Sequence, residues 1–244
     1  MKPVRARSRF EAHVWKGPPR RRPMGIFMPE AIEGRTTFVS RVRPADTLKT
    51  VLKSGAHNRK IGSHCVKGRW RGMPIYTLAL EERKTCPRDC KLWHRCYGNN
   101  MPFVVRVEAG PALEAKLEEE LCALAAKHSH GFIVRLHVLG DFYSTDYVLK
   151  WLRWLRRYPS LRVFGYTAHQ IRTPIGDLIA NISKNMWQRF AVRTSNSWGL
   201  RTTAVRTAPL SGDLTCPAQT GKSACCGTCA LCWQTEKPIS FLEH

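Results

Sequence analysis

The chain has 244 residues, of which 40 are lysine or arginine and 18 aspartate or glutamate, a formal charge of +22. Its 43% hydrophobic content suffices for the core of one domain; no run approaches the ~18 apolar residues of a membrane span, and the basic N-terminus lacks the apolar stretch of a secretory signal, so a cytoplasmic protein without membrane contact is expected. The basic excess favours a polyanionic partner, nucleic acid held through a basic surface, and ten cysteines without an export signal argue for metal or iron–sulfur ligation rather than a disulfide framework.

Residues 1–35, rich in Arg, Lys and Pro, read as a flexible basic arm. Residues 36–210 carry the α/β pattern, and residues 211–244 form a cysteine-rich segment expected to pack on the same domain. Between 36 and 73, short apolar groups alternate with basic ones. Gly62, Gly68 and Gly72 mark turns there, and Trp70 is expected half-buried in a solvated hairpin.

Pro74–Leu80 then reads as a buried strand. Pro111–Lys127 predicts a helix, with Pro111 in its first turn and Leu113, Leu117, Leu121 and Leu124 at helical spacing. Cys122 within it is expected to be a small core residue. A strand over Phe132–Leu139 follows, then a helix over Asp146–Tyr158 stopped by Pro159, whose Trp151, Trp154 and Leu155 form a core stripe. Leu161–Thr167 is a strand, Pro174 to about Lys184 a short helix, and Trp187–Arg193 another strand. Strands alternating with helices predict βαβ units and a parallel sheet.

In such a sheet, reactive groups gather beyond the carboxyl ends of the strands. Here those positions hold Cys86, Cys90 and Cys96; then Gly140, Asp141 and Tyr143; then Tyr166, Thr167 and His169; and last Thr194, Ser195 and Asn196. The first set has the spacing C-x3-C-x5-C. Three thiolates from one loop can hold a metal or a [4Fe–4S] cluster and leave one coordination position open. His94 is the candidate fourth ligand if the metal is zinc. Near the C-terminus, Cys226, Cys229 and Cys232 give C-x2-C-x2-C, with Cys216 upstream as a fourth ligand. Four thiolates make a closed centre, a second cluster or zinc, and leave Cys225 as the spare.

The motifs Thr85-Cys86-Pro87, Cys90, Cys96-Tyr97, Arg135 through Tyr143, Gly165-Tyr166-Thr167 and Cys216 through Trp233 resemble a family of bacteriophages and bacterial genomes, the gene-product-eighty-eight-like family, over about residues 60–244. More distantly, the chain is similar to radical S-adenosylmethionine enzymes, whose fold is a partial (β/α) barrel. That resemblance implies a [4Fe–4S] cluster on Cys86, Cys90 and Cys96, with the open iron chelating S-adenosylmethionine and an external electron donor. It also implies Tyr97 as the aromatic neighbour of the last cysteine and Gly140-Asp141 as the contact for the methionine amine. Tyr166 and Asn196, on the same rim, complete the expected cofactor-binding set. The chain departs from those enzymes in its cysteine spacing, theirs being C-x3-C-x2-C, and in having Asp rather than Glu at 141.

Three functions follow as expectations. The leading one is an iron–sulfur enzyme of radical type acting on nucleic acid or a nucleotide. The second is a non-catalytic nucleic-acid-binding protein stabilised by zinc or clusters. The third is a barrel base-exchange transferase with Asp141 as catalytic nucleophile or acid. For Asp141 a purely structural, loop-capping role stands beside all three.

Overall fold

A computed structural model describes residues 34–195, 199–206, 211–212 and 214–242. The basic arm falls almost wholly outside the described residues, as does Asn196. The strands are β1 (Val42–Arg43), β2 (Lys53–Ser54), β3 (Ile75–Thr77), β4 (Arg106–Val107), β5 (Phe132–Leu136), β6 (Leu161–Thr167), β7 (Phe190–Ser195), β8 (Thr202–Arg206), β9 (Leu214–Thr215) and β10 (Ile239–Leu242). The helices are α1 (Pro111–Lys127), α2 (Thr145–Arg157), α3 (Pro174–Met186) and two single turns, α4 (Cys226–Cys229) and α5 (Leu231–Gln234).

Eight strands form one sheet in the order β2-β3-β5-β6-β7-β8-β10-β9. Every pairing in it is parallel except β2 with β3. The expected mixed α/β architecture with a mostly parallel sheet is therefore present, with β2 and β9 as its edges among the described residues. β1 and β4 pair separately, and a bridge from Leu80 to Val107 links that ribbon to the chain leaving β3. The C-terminal segment contributes β9 and β10 to the same sheet as the rest. Among the described residues, no helix is long and apolar enough to cross a membrane.

The three long helices start where local chemistry says they should. Pro111 and Pro174 occupy first-turn positions, where a missing N–H costs nothing. The Ser144 hydroxyl accepts a hydrogen bond from Tyr147 N at 3.1 Å, and Thr173 Oγ1 accepts one from Gly176 N at 3.1 Å. Leu113, Leu117 and Leu121 of α1 and Tyr147, Val148, Trp151, Trp154 and Leu155 of α2 are buried. Cys122 corrects its expected placement: it is exposed, since one residue beyond Leu121 the helix has turned about 100° away from the buried stripe.

The period of two along the strands divides the core. Phe132, Val134 and Leu136 of β5, Leu161 and Val163 of β6, and Phe190 and Val192 of β7 pack with the helices. Their neighbours Ile133, Phe164 and Ala191 belong to a second cluster on the opposite face, with Trp70, Trp187, Trp233, Cys216 and Cys232. The cysteine-rich segment thus covers the sheet face that the helices leave open. Trp70 is accordingly buried, 1% exposed, and stacks on Trp233 with ring centroids 5.3 Å apart. The expected half-buried hairpin position is corrected, because the C-terminal segment folds over it.

Replacing Trp151, fully buried at the centre of the helical face, should remove about 3–5 kcal/mol of unfolding free energy as Trp151→Ala. Urea denaturation measures it, and a loss below about 1 kcal/mol would contradict this packing.

Candidate functional site

The three-cysteine loop has no regular strand or α-helix of its own; buried charge holds it in shape. Arg106 on β4 is fully buried and grips Glu82 through two hydrogen bonds, Nε to Oε2 at 2.8 Å and Nη2 to Oε1 at 2.9 Å. Its remaining N–H groups donate to the carbonyls of Gly98, Met101 and Val104. All five guanidinium donors are therefore satisfied. Gly98 is required here, since a Cβ would stand 2.6 Å from Glu82 Oε1. Arg83, at φ 67°, reaches across the loop to Trp93 O and to Asn99 Oδ1 at 2.8 Å.

Within this frame the thiols of Cys86, Cys90 and Cys96 lie within electrostatic reach of one another. Burial pushes the Cys86 thiol well up and Cys96 up to about 11, with nearby carboxylates and the sister thiols adding to it. Burial also raises Cys90.

The Gly140-Asp141 turn packs directly on this loop. Gly140 has φ 79°, and a Cβ there would lie 2.6 Å from Thr85 Oγ1. Thr85 Oγ1 donates to Glu81 O at 2.8 Å and accepts from Asp141 N at 3.0 Å. The Asp141 carboxylate is 3% exposed; Oδ1 accepts from Phe142 N at 2.8 Å and Oδ2 from Ala168 N at 2.6 Å. Burial raises its pKa, while His169 and these N–H donors pull it back. Asp141 thus ties the loop after β5 to the loop after β6, beside Cys86, with both oxygens engaged.

The second cysteine group is stitched to residues 60–66. Cys226 N donates to Lys60 O, Gly227 N to Ile61 O, and Val66 N to Gly227 O, all at 2.8–2.9 Å. Arg193, buried in β7, anchors the far end by donating to Cys232 O at 2.9 Å, Lys237 O at 3.0 Å and Thr235 O. Cys232 opposes the ionisation of Cys216, Cys226 and Cys229, and Cys216 adds to the effect on Cys226. Burial brings Cys216 up to about 11. Tyr166 Oη lies 2.8 Å from Cys232 Sγ, and the Arg135 guanidinium sits 4.6 Å from the Tyr166 ring centroid. Cys225 faces elsewhere, buried beside Cys65, Gly62 and Thr228. Among the described residues, no three His, Cys, Asp or Glu side chains are gathered as one metal ion would need. The thiols are neighbours rather than a single-ion shell.

The C-terminal cysteines and one thiol of the first group meet in one cleft of about 440 Å³ near the carboxyl ends of β5, β6 and β7, which Cys86 and Cys96 do not line. Cys90, Cys216, Cys226, Cys229 and Cys232 all line it, as do Tyr97 and Tyr166. Gly140 and Asp141 do not, although the rim contributes Val138, Ala168 and Ser195. His94 is likewise not on the cleft wall; its carbonyl accepts from Asn99 Nδ2 at 3.2 Å. Asn196 lies outside the described residues. His137, buried and lowered to about 3, is a neutral core histidine against Tyr147.

Sequence reasoning missed the cations. Lys60, Lys91, Arg95 and Arg135 line the cleft, and no aspartate or glutamate does among the described residues. A signal existed for Arg135 and Arg193: each directly follows three apolar residues within its strand, on the face opposite the helices.

A family model described as Gene product 88 matches residues 47–197. The match takes in the three-cysteine loop, Asp141 and Tyr166 and stops short of the C-terminal cysteines. No curated protein and no solved structure matches the chain significantly.

Arg106→Met leaves the Glu82 carboxylate buried and unpaired, which should cost about 3–5 kcal/mol, read by urea denaturation; a loss under about 1 kcal/mol would contradict the frame. In the metal-free protein, Cys96 and Cys216 keep their protons up to about pH 11, whereas the unfolded chain releases them near the ordinary 9.0. Stability from these groups is then full below about pH 9 and falls as pH rises toward 11. Cys96→Ser should flatten the fall in unfolding free energy between those pH values, and an unchanged slope would contradict it.

Proposed function

This chain belongs to the Gene product 88 family, and we propose that it is an iron–sulfur enzyme whose substrate enters the cleft between its two cysteine groups. The observation that carries this reading is the sharing of one cleft by Cys90, from the three-cysteine loop, and by Cys216, Cys226, Cys229 and Cys232. A cluster gives each cysteine its own iron, so it accommodates thiols that are neighbours without forming a single-ion shell. Cys86, Cys90 and Cys96 would hold a [4Fe–4S] cluster, and Cys216, Cys226, Cys229 and Cys232 a second cluster or zinc. When bound, a cluster with three protein ligands supplies an open iron for Lewis-acid or one-electron chemistry.

The chain's own residues have defined work around such a centre. Glu82 and Arg106 fix the loop, Thr85 and Asp141 clamp it to the ends of β5 and β6, and Tyr166 hydrogen-bonds the Cys232 sulfur. Arg193 and Arg135 supply positive charge beside the second thiol group. Such contacts to sulfur and such nearby charge tune a cluster's potential.

S-adenosylmethionine fits less well. The amine contact assigned by resemblance to Gly140-Asp141 is off the cleft, and both Asp141 oxygens already accept backbone N–H groups. These contacts lend no support to a radical step, and the same engagement argues against Asp141 as the nucleophile of a transferase. The +22 charge favours the second reading, a cluster- or zinc-stabilised nucleic-acid-binding protein.

Anaerobic reconstitution decides among these. The proposal expects iron and acid-labile sulfide, about four of each per cubane, with loss of one cubane in Cys86→Ser/Cys90→Ser/Cys96→Ser. Zinc without sulfide or visible absorption would overturn it in favour of the binding protein. A cluster whose electron paramagnetic resonance signal shifts on adding S-adenosylmethionine would support the radical version.

A further inference from the structure

Taking the shared cleft as the working site, its lining combines cations with aromatic and aliphatic side chains. Its cations include Lys60, beside Ile61 in the segment stitched to Cys226, and Lys91, next to Cys90. Lys60 Nζ lies 5.6 Å from the Tyr97 ring centroid. Strands β8 and β10 present Val205 and Phe241 to it. Val205 is 36% exposed, and Phe241 meets the Tyr166 ring edge-on at 5.4 Å. The Arg135 guanidinium, over the Tyr166 ring, lines it as well. No carboxylate on the described walls neutralises these cations; the nearby Asp89 is off the cleft and accepts a hydrogen bond from Gln170 Nε2 at 2.7 Å.

A cavity lined by both cations and aromatic rings, with no carboxylate on its described walls, suits a ligand that carries an anionic group on a planar apolar body. A volume of about 440 Å³ falls in the small-ligand range of roughly 300–1,000 Å³. Bases stack on aromatic faces whatever their identity, and phosphates seek lysine and arginine. The excess positive charge of the whole chain steers polyanions toward such a site. We propose that the cleft binds a single nucleotide unit, its phosphate toward Lys60 and Lys91 and its base against the Val205–Phe241 wall. The unit can be a free nucleotide or one nucleotide of a single strand, and the two sources share this chemistry.

The test is titration of the full-length, anaerobically purified protein with adenosine monophosphate, adenosine, and a ten-residue single-stranded oligonucleotide, read by calorimetry. Adenosine monophosphate should bind about tenfold more tightly than adenosine, and the double variant Lys60→Gln/Lys91→Gln should weaken it about tenfold. Val205→Glu, at a partly exposed wall position, adds a repelling charge without touching the cations and should weaken it as well; circular dichroism checks that both variants fold. Competition by the oligonucleotide identifies a strand as the source, and its absence with retained nucleotide binding identifies the free nucleotide; either supports the proposal. Equal affinity for adenosine and its phosphate, no binding of any probe, or unchanged affinity in both folded variants would overturn it. Iron and sulfide assayed on the same preparation report separately on the iron–sulfur reading.

Discussion

The buried pair of Arg106 and Glu82 is the constraint on which the three-cysteine loop depends. Between Lys84 and Asn100 the chain has no ladder to satisfy its backbone, and it must still bring Cys86 and Cys96 toward each other. Arg106 solves both problems at once, because a guanidinium has five donors in a fixed plane. Two meet the carboxylate and three meet loop carbonyls. Burying such a pair is costly and rarely adds stability over an apolar substitute, so its value here lies in specifying one loop geometry. Thr36 Oγ1 adds a further hydrogen bond to Glu82 at 2.7 Å, tying in the segment that precedes β1.

The second cysteine group depends on a different device. Arg193 is buried with carbonyl oxygens as its partners and packs against Trp187, 5.0 Å from the ring centroid. A buried guanidinium ringed by carbonyls leaves positive potential beside the Cys232 thiol, while the first group has Glu82 and Asp141 close by. The two groups therefore share a cleft but differ in electrostatic surroundings. That contrast would separate the potentials of two centres of the same type.

Much of this was legible along the chain. The helix at Pro111–Lys127 follows from its proline start and leucine spacing, and the strand at Leu161–Thr167 from its β-branched and aromatic run; both have the expected ends. The strand at 132–139 is shorter, closing at Leu136, because the chain then bends toward the Gly140 turn. Cys122 and Trp70 were misread for one reason: exposure depends on what packs opposite, and a single residue of helical phase or a distant covering segment decides it. Apart from Arg135, the cleft cations were invisible because lysines and arginines are spread throughout so basic a chain.

By itself the sequence determined the alternation of strands and helices, the parallel sheet, and the division of eight cysteines into two groups. Those features rest on local spacing, backbone propensity and the period of the apolar residues. Only the tertiary structure decided that Cys90 and the C-terminal cysteines open onto one cleft, that Asp141 spends its oxygens on backbone N–H groups, and that cations line the cleft beside the thiols. They rest on contacts between segments far apart along the chain, as in Asp141 with Ala168 or Tyr166 with Cys232. Such contacts are fixed by how the sheet's two faces are covered, and no spacing within a short window encodes that.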